Sequence, residues 1–292
     1  MEQWWYLSEK SFMKRSSFLI ALIWLCSIFT ADAQELTVGS YNVRLAIASD
    51  TGNLWVNRAP AVAALIRFHD FDLFGTQEGF KHQLEDIRSA LPQYDYAGVG
   101  RDDGKDKGEH ASIFYRKDRF KLLKKGDFWL SQTPEVPSKG WDATCCNRIC
   151  SWVYLQDNKT KKKFFVFNAH FDHQGVVARK ESSKLILERI KSIAGKEPVI
   201  LTGDFNGDHA SEWYQTIANS GVLKDTYKQV KHPYALSSSF NGFGRSPYRD
   251  EIIDHVFTTH HFTVGKWGLL TDTYQGKYPS DHFPVLVRLK FK

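Results

Sequence analysis

The chain has 292 residues with 39 lysines and arginines against 33 acidic residues, a net charge of +6, and is 42% hydrophobic and 14% aromatic. That apolar and aromatic content excludes a disordered chain, and 20 glycines and 9 prolines exclude a collagenous or low-complexity one. A single long apolar run excludes a polytopic membrane protein, and the modest positive charge favours anionic substrates by long-range steering without implying nucleic acid.

The apolar run comes first in the chain. Residues 18–29 follow Lys14 and Arg15 and precede Ala31-Asp32-Ala33, a small-x-small cleavage pattern. A basic, then apolar, then small-residue order reads as a signal peptide over residues 1–33, and the run is short for a bilayer span. An uncleaved anchor is the alternative. Trp4, Trp5 and Glu9 suit no signal peptide, which makes Met13 a candidate start, and Leu25 is too bulky for a lipoprotein signal at Cys26. The expectation is an exported, periplasmic or extracellular domain over 34–292. Cleavage removes Lys10, Lys14 and Arg15 with Glu2, Glu9 and Asp32, so the charge is unchanged. The exported part keeps Cys145, Cys146 and Cys150. An odd number leaves at least one thiol unpaired, no zinc-finger spacing is present, and a local bridge plus a buried thiol is expected.

Runs of β-branched and aromatic residues predict strands at 36–42, 71–77, 94–99, 111–115, 151–155, 164–169, 198–202, 252–258 and 284–291. A helix is predicted over 57–69, where Val62, Leu65, Ile66 and His69 recur at helical spacing, and another over 177–194, where Ile186, Ile190 and Ile193 share a face. Shorter helices are predicted at 81–91 and 211–220, with Ser211 as an N-cap. Residues 100–110 and 236–250 are polar and Gly-containing and read as loops. Strands outnumber helices and come in groups, which predicts an α+β fold of packed sheets.

Many of these strands end in a metal-capable or hydrogen-bonding side chain. Asn42 closes the first, Glu78 follows the second, and His170 follows 164–169. Asp204 and Asn206 follow 198–202 in a tight Gly-Asp-Phe-Asn turn, Asp254 stands near the start of 252–258, and Asp281-His282 precedes the last strand. Strand ends can converge at one rim of a packed sheet. Mg²⁺ takes oxygen ligands and only one or two carboxylates, so Asn42, Glu78 and Asp281 suit a sparse metal site. His170 and His282 suit proton transfer or charge stabilisation. Of Asp204 and Asn206, one can accept a proton from water while the other orients the water or a phosphate. Asp254 can hold His282 in one tautomer and favour its protonated form. Together these parts suit hydrolysis of a phosphate ester.

Ser40-Tyr41-Asn42-Val43-Arg44, Thr76-Gln77-Glu78, Asn168-Ala169-His170, Gly203-Asp204-Phe205-Asn206, Ile253-Asp254-His255-Val256 and Ser280-Asp281-His282 resemble, in order, the motifs of the endonuclease/exonuclease/phosphatase superfamily. Each motif alone is weak, but six in order span residues 36–292. The resemblance implies a four-layer α/β-sandwich, two mostly antiparallel sheets flanked by helices, and a phosphodiesterase or phosphatase that depends on Mg²⁺ or Mn²⁺. It implies that Asn42 and Glu78 serve the metal and phosphate, with Asp281 as an accessory. It also implies that Asp204 and Asn206 orient water, that Asp254 and His282 form a dyad, and that His170 stabilises the phosphate or serves the leaving group. Gly108-Glu109 before Ile113-Phe114-Tyr115, and Phe128-Trp129-Leu130-Ser131 with Gly140-Trp141-Asp142-Ala143, resemble the carbon-catabolite-repressor deadenylase and nocturnin branch and its exported bacterial relatives. The leucine-rich repeats of the eukaryotic deadenylases are lacking, and export argues against cytoplasmic mRNA as substrate.

Outside this set, Arg148 is either a bidentate phosphate clamp or a partner for a surface carboxylate. Glu109 reads as a solvated charge, Trp55 and Arg58 as helix-packing or surface residues in preference to pocket-shaping ones, and Trp129 and Trp141 as core or as stacking platforms. Asp172 and His173 stand near the rim. The lysine-rich stretch 159–163 reads as a solvated hairpin tip. The expected activity is that of an exported metal-dependent phosphodiesterase on phosphate-ester substrates, foremost a nuclease or 3'-5' exonuclease acting on nucleic acid or nucleotide. The alternatives are phospholipid, sphingomyelin or phosphoinositide hydrolysis on the same fold, or a non-catalytic secreted binding module.

Overall fold

The computed structural model describes residues 35–247 and 250–292. The expected signal peptide and the Met13 start lie outside the described residues. In chain order the elements are β1 (Leu36–Asn42), α1 (Trp55–Phe68), β2 (Leu73–Gln77), α2 (Lys81–Ala90), β3 (Tyr94–Ala97), β4 (Ile113–Arg116), β5 (Phe120–Trp129), β6 (Ile149–Asp157), β7 (Lys163–His170), α3 (Val176–Ala194), β8 (Val199–Asp204), α4 (Glu212–Ala218), β9 (Lys224–Asp225), β10 (Asp254–Thr258), β11 (Phe262–Leu269) and β12 (Val285–Phe291).

Two six-stranded sheets form, in the orders β11-β12-β1-β2-β4-β3 and β5-β6-β7-β8-β10-β9. Each is antiparallel except for one central parallel pair, β1 with β2 and β7 with β8. A parallel pair needs a long crossover, and α1 and α3 supply it in the two sheets. Helices α1 and α2 cover one outer face, where Val62, Leu65, Ile66, Leu84 and Ile87 pack on Phe71, Phe74 and Phe114. Helices α3 and α4 cover the other, where Ile186, Ile190, Tyr214 and Ile217 pack on Phe165, Phe167, Leu201 and Phe257. Leu36, Val38, Leu73, Val153, Phe164, Val166, Ile200, Val256 and Val287 fill the space between the sheets. This is the four-layer α+β sandwich that the resemblance implies.

Strands β5, β9 and β11 are absent from the sequence expectation, and all three are flanks: β5 and β9 bound one sheet and β11 the other. Edge strands carry charge and glycine in place of apolar runs, as β5 does with Lys121, Lys124, Lys125 and Gly126. Helix α3 starts against Asp142 of the Gly140-Trp141-Asp142-Ala143 stretch, whose carboxylate accepts the Val177 and Ala178 N–H groups at 3.0 and 2.6 Å. Ser211 stands at the N-cap of α4, but its hydroxyl donates to Asp208 Oδ1 at 2.9 Å instead of accepting from the helix. Cys145 and Cys146 are bonded to each other and Cys150 is a buried thiol, the arrangement expected. Lys159, Lys161 and Lys162 lie on the exposed turn between β6 and β7, as expected, and Lys163 opens β7.

Period-two alternation carries the polar site into the sandwich. Phe164 and Val166 of β7 face the central core, so Asn168 and His170 face the same space further along. By the same count Ile200, Thr202 and Asp204 of β8, Leu36, Val38, Ser40 and Asn42 of β1, and Asp254 and Val256 of β10 share that interior. A polar layer separates core from site. Asn168 Oδ1 accepts from Gln77 Nε2 (2.7 Å) and Thr202 Oγ1 (3.0 Å), while its Nδ2 donates to the carbonyls of Thr76 (2.8 Å) and Ser112 (3.0 Å). Gly75 makes room for this bridge between the sheets, since a Cβ there would lie 2.3 Å from Asn168 Oδ1.

Candidate active site

The carboxyl ends of the four parallel strands β1, β2, β7 and β8 deliver Asn42, Gln77-Glu78, His170 and Asp204 to one rim. The chain then turns sharply: Arg44, Glu78 and Asn206 all have left-handed backbone, at φ 58°, 66° and 45°. Such geometry costs a non-glycine residue on the order of 1–3 kcal/mol and concentrates at working sites.

Asp204 is the hub. Its Oδ2 accepts from Asn42 Nδ2 at 3.0 Å and lies 3.6 Å from His170 Nε2 and 3.8 Å from His282 Nε2. Its Oδ1 accepts the Asn206 N–H at 2.9 Å. Burial, reinforced by the Asp254 charge, raises the Asp204 carboxyl to about 7. Asn42 Nδ2 also donates to Glu78 Oε1 at 3.0 Å, so one amide spans both carboxylates while its Oδ1 accepts the Arg44 N–H. Glu78 Oε2 accepts the Leu45 N–H at 3.1 Å.

His282 Nδ1 lies 2.8 Å from Asp254 Oδ2, the expected dyad. Burial opposes protonation of this ring, but the charge and hydrogen bond of Asp254, with Asp204 and Asp281 nearby, outweigh it and lift the imidazole to about 10. His170 goes the opposite way: burial and then the Arg148 and Arg101 charges hold it well below the usual histidine range. Asp281 is raised to about 6 by burial, and Arg44 Nε stands 3.6 Å from its Oδ2. Asn206 donates its side-chain N–H to the Phe171 carbonyl at 3.0 Å, which fixes the turn after β8.

Arg148 is buried and turned inward, which decides against a surface pair. Its Nε lies 3.3 Å from Asp172 Oδ2, its Nη1 3.1 Å from both ring nitrogens of His170, and its Nη2 donates to His173 Nδ1 at 2.7 Å. Asp172 and His173 thus hold Arg148, a role that sequence reasoning left out; their spacing two and three residues past His170 was the available signal. Glu109 is a correction. It is buried, paired bidentately with Arg101 at 2.6 Å for both bonds, and pushed up to about 7 by burial. The polar loop folds back through the His110 bridges to Gly79 and Gly100, so a charge that looks solvated in the sequence lines the site. Arg58 is a second correction. It is fully buried and donates to the carbonyls of Asn53, Val43, Pro279 and Arg44, tying the exit of β1 to the Ser280-Asp281-His282 turn. Trp55 packs between helices as expected, with Nε1 donating to Asp86. Trp129 is buried and donates to the Arg101 carbonyl.

These groups line a cavity of about 410 Å³, with Arg44, Arg101 and Arg148 on its walls and the Cys145–Cys146 pair at its border. Glu78, His170 and Asp204 bring donor atoms within 4.8 Å of one another, and Asp204, Asp254 and His282 do the same. The half-buried Glu78 and the buried Asp204 and Asp281 bring carboxylates together as an oxygen-rich donor set, which fits a hard divalent cation. Phosphate fits beside it, because the guanidinium groups and the protonated His282 supply donors around the same space.

A profile of the Endonuclease/Exonuclease/phosphatase family matches residues 39–282. The chain is similar to a Bacteroides thetaiotaomicron protein of that family, at 50% identity and a TM-score of 0.86 over 89% of this chain and 98% of that one. It is also similar to the mannosyl-6-phosphatase of Bacteroides thetaiotaomicron VPI-5482, at 50% identity and a TM-score of 0.85 over 88% of this chain and 100% of that one. Among curated relatives, the CCR4-Not complex 3'-5'-exoribonuclease subunit Ccr4 of Saccharomyces cerevisiae is 24% identical over 300 residues. That match takes in 81% of this chain and 35% of that protein, so the chain spans about a third of its length.

Proposed function

The chain belongs to the endonuclease/exonuclease/phosphatase family, and on that footing we propose that it is a Mg²⁺- or Mn²⁺-dependent phosphomonoesterase acting on a phosphorylated sugar. Fold and site support metal-dependent phosphoester hydrolysis in general. The narrower reading rests on one observation: the site is a half-open cavity of about 410 Å³ in which Phe240 is the one aromatic ring, histidines aside, among the described residues. That volume suits a small ligand. A single-stranded nucleic acid needs a channel with stacking platforms, and Trp129 is committed to the core. The mannosyl-6-phosphatase at 50% identity supports the same choice.

Glu78 and Asp281 would hold the cation, with Asn42 beside them. When bound, the cation neutralises charge on the phosphoryl oxygens. Asp204 takes the proton of the attacking water, and its raised affinity for protons matches a general base working near neutrality. Asn206 and the Asn42 amide fix that carboxylate. His282, kept protonated by Asp254, donates to a phosphoryl oxygen, and Arg148, aimed by His170 and Asp172, clamps the phosphate. Export rests on the pattern of residues 14–33, and the Cys145–Cys146 bond is in keeping with an oxidising compartment.

The second reading is the 3'-5' exonuclease, favoured by the Ccr4 relative. Mannose 6-phosphate, bis(p-nitrophenyl) phosphate, single-stranded RNA and sphingomyelin vesicles, each with Mn²⁺, separate the possibilities. Release of phosphate from the sugar alone is expected. Faster cleavage of RNA overturns the proposal in favour of the nuclease, and faster cleavage of the vesicles in favour of a lipid hydrolase. Inertness toward all four leaves the non-catalytic module. Among the described residues, no helix is long and apolar enough to cross a membrane.

A further inference from the structure

We propose that His209, Asp225 and His255 form a second metal site, of zinc type, on the face of the sheet opposite the catalytic cavity. Strand β10 places the two sites back to back: Asp254 faces the sandwich interior, and His255, the next residue, faces outward toward α4. His255 is 1% exposed, and its Nε2 lies 2.9 Å from the Gly207 carbonyl. A carbonyl can only accept, so Nε2 carries the hydrogen. In that tautomer Nδ1 is left as a lone pair. That lone pair stands 3.9 Å from Asp225 Oδ2.

His209 Nε2 lies 3.3 Å from the same carboxylate oxygen and is shielded from water, but the contact lacks hydrogen-bond geometry. A buried ring nitrogen set against a carboxylate without a well-formed hydrogen bond calls for an explanation. So does an imidazole lone pair facing a carboxylate oxygen in a buried setting. A cation at the centre of the three atoms answers both, and all three lie within 4.8 Å of one another. The outer supports typical of a metal site are already in place. Tyr214 donates its hydroxyl to Asp225 Oδ2 at 2.7 Å, the Tyr227 N–H reaches Oδ1 at 2.9 Å, and the Gly207 carbonyl fixes the His255 tautomer.

Ligands about 2.0–2.1 Å from a tetrahedral zinc stand roughly 3.3 Å apart; the His209–Asp225 separation already matches, and the other two, both within 4.8 Å, contract on binding. Two imidazole nitrogens select zinc, cobalt or nickel over magnesium, which separates this cluster from the oxygen-rich set at Glu78 and Asp204. The His209 side chain is 25% exposed, so this ligand sits at the outer edge of the cluster. Gly207 and His209 continue the turn that carries Asp204 and Asn206, so a metal here fastens that turn to β9 and β10.

Tag-free protein stripped with chelator and titrated with Zn²⁺ and Co²⁺ in excess Mg²⁺ tests this. One tight site is expected, with the visible absorption of tetrahedral Co²⁺ and a higher melting temperature when filled. Glu78→Gln should keep it, whereas His209→Ala, at a partly exposed position, and His255→Gln should each weaken it by about 100-fold or more. Failure of the wild type to bind either metal overturns the proposal. So does undiminished binding by folded His209→Ala.

Discussion

His170 and His282 flank Asp204 at nearly equal distance yet take opposite protonation states, and the difference lies in their second partners. Arg148 reaches the first and Asp254 the second. In metal-free protein the raised affinity of His282 for its proton has a thermodynamic consequence. Its contribution to stability is complete below its unfolded value near 6.5 and is lost as pH rises through about 10. Asp204, lifted to about 7, acts in the same sense. Chemical unfolding with chelator present should therefore show stability falling from neutral to alkaline pH. In Asp254→Asn the deficit against wild type should be largest just below about pH 6.5 and shrink toward pH 10; a deficit constant with pH refutes the assignment. Asp204→Asn should lower kcat by about 10²–10⁴ with no loss of melting temperature, because a costly buried carboxylate is removed. Both Asp204 and His282 were legible in the sequence, since each closes or precedes an apolar run within a short motif. Glu109 and Arg58 were not, because their burial depends on where a loop and a helix terminus fold back, and no local pattern records that.

At the level of elements, the deciding feature is the change from apolar to polar along the interior face of each strand. The Asn168 amide is the link across it, with two donors and an acceptor engaged on both sheets. Asn168→Leu has nearly the same volume but removes four hydrogen bonds from the interior, leaving Gln77 Nε2 only its longer bond to Ser40 Oγ at 3.3 Å and the Ser112 carbonyl only Thr76. At about 0.5–1.5 kcal/mol for each net hydrogen bond lost, the variant should lose about 2 kcal/mol or more in urea unfolding, and activity should fall with it. Gly75→Ala should cost about 1–3 kcal/mol by overpacking against the same amide. A stability change below about 0.5 kcal/mol in Asn168→Leu would mean that the polar layer does not join the sheets. The central strands were readable because, buried on both faces, they appear as near-continuous runs of β-branched and aromatic residues, as in Phe164 to Ala169. The flanking strands β5, β9 and β11 were hidden, because an edge needs pairing on one side only and its lysines and glycines read as loop.

Across the whole molecule, the six motifs lie far apart in sequence and meet because each sheet has one parallel pair whose carboxyl ends point to the same rim. Their order along the chain could be read directly; the half-open shape of the cavity could not, since the 100–110 loop and the Cys145–Cys146 segment that border it carry no periodic signal. The rim also gathers Arg44, Arg101 and Arg148 beside Glu78, Glu109, Asp204 and Asp281, so with a divalent cation bound its balance turns positive on a chain of net charge +6. A cavity walled by protein focuses this field toward an incoming phosphate dianion. The effect belongs to the encounter, so kcat/KM should fall by about tenfold from low to high salt while kcat stays nearly constant. Arg148→Ala differs, because it removes a contact made in the bound state: it should lower kcat as well as kcat/KM and flatten the salt dependence of what remains. Steady-state rates on mannose 6-phosphate with Mn²⁺ across a potassium chloride series separate the two effects. A kcat/KM independent of salt would mean that the arginines bind phosphate without steering it.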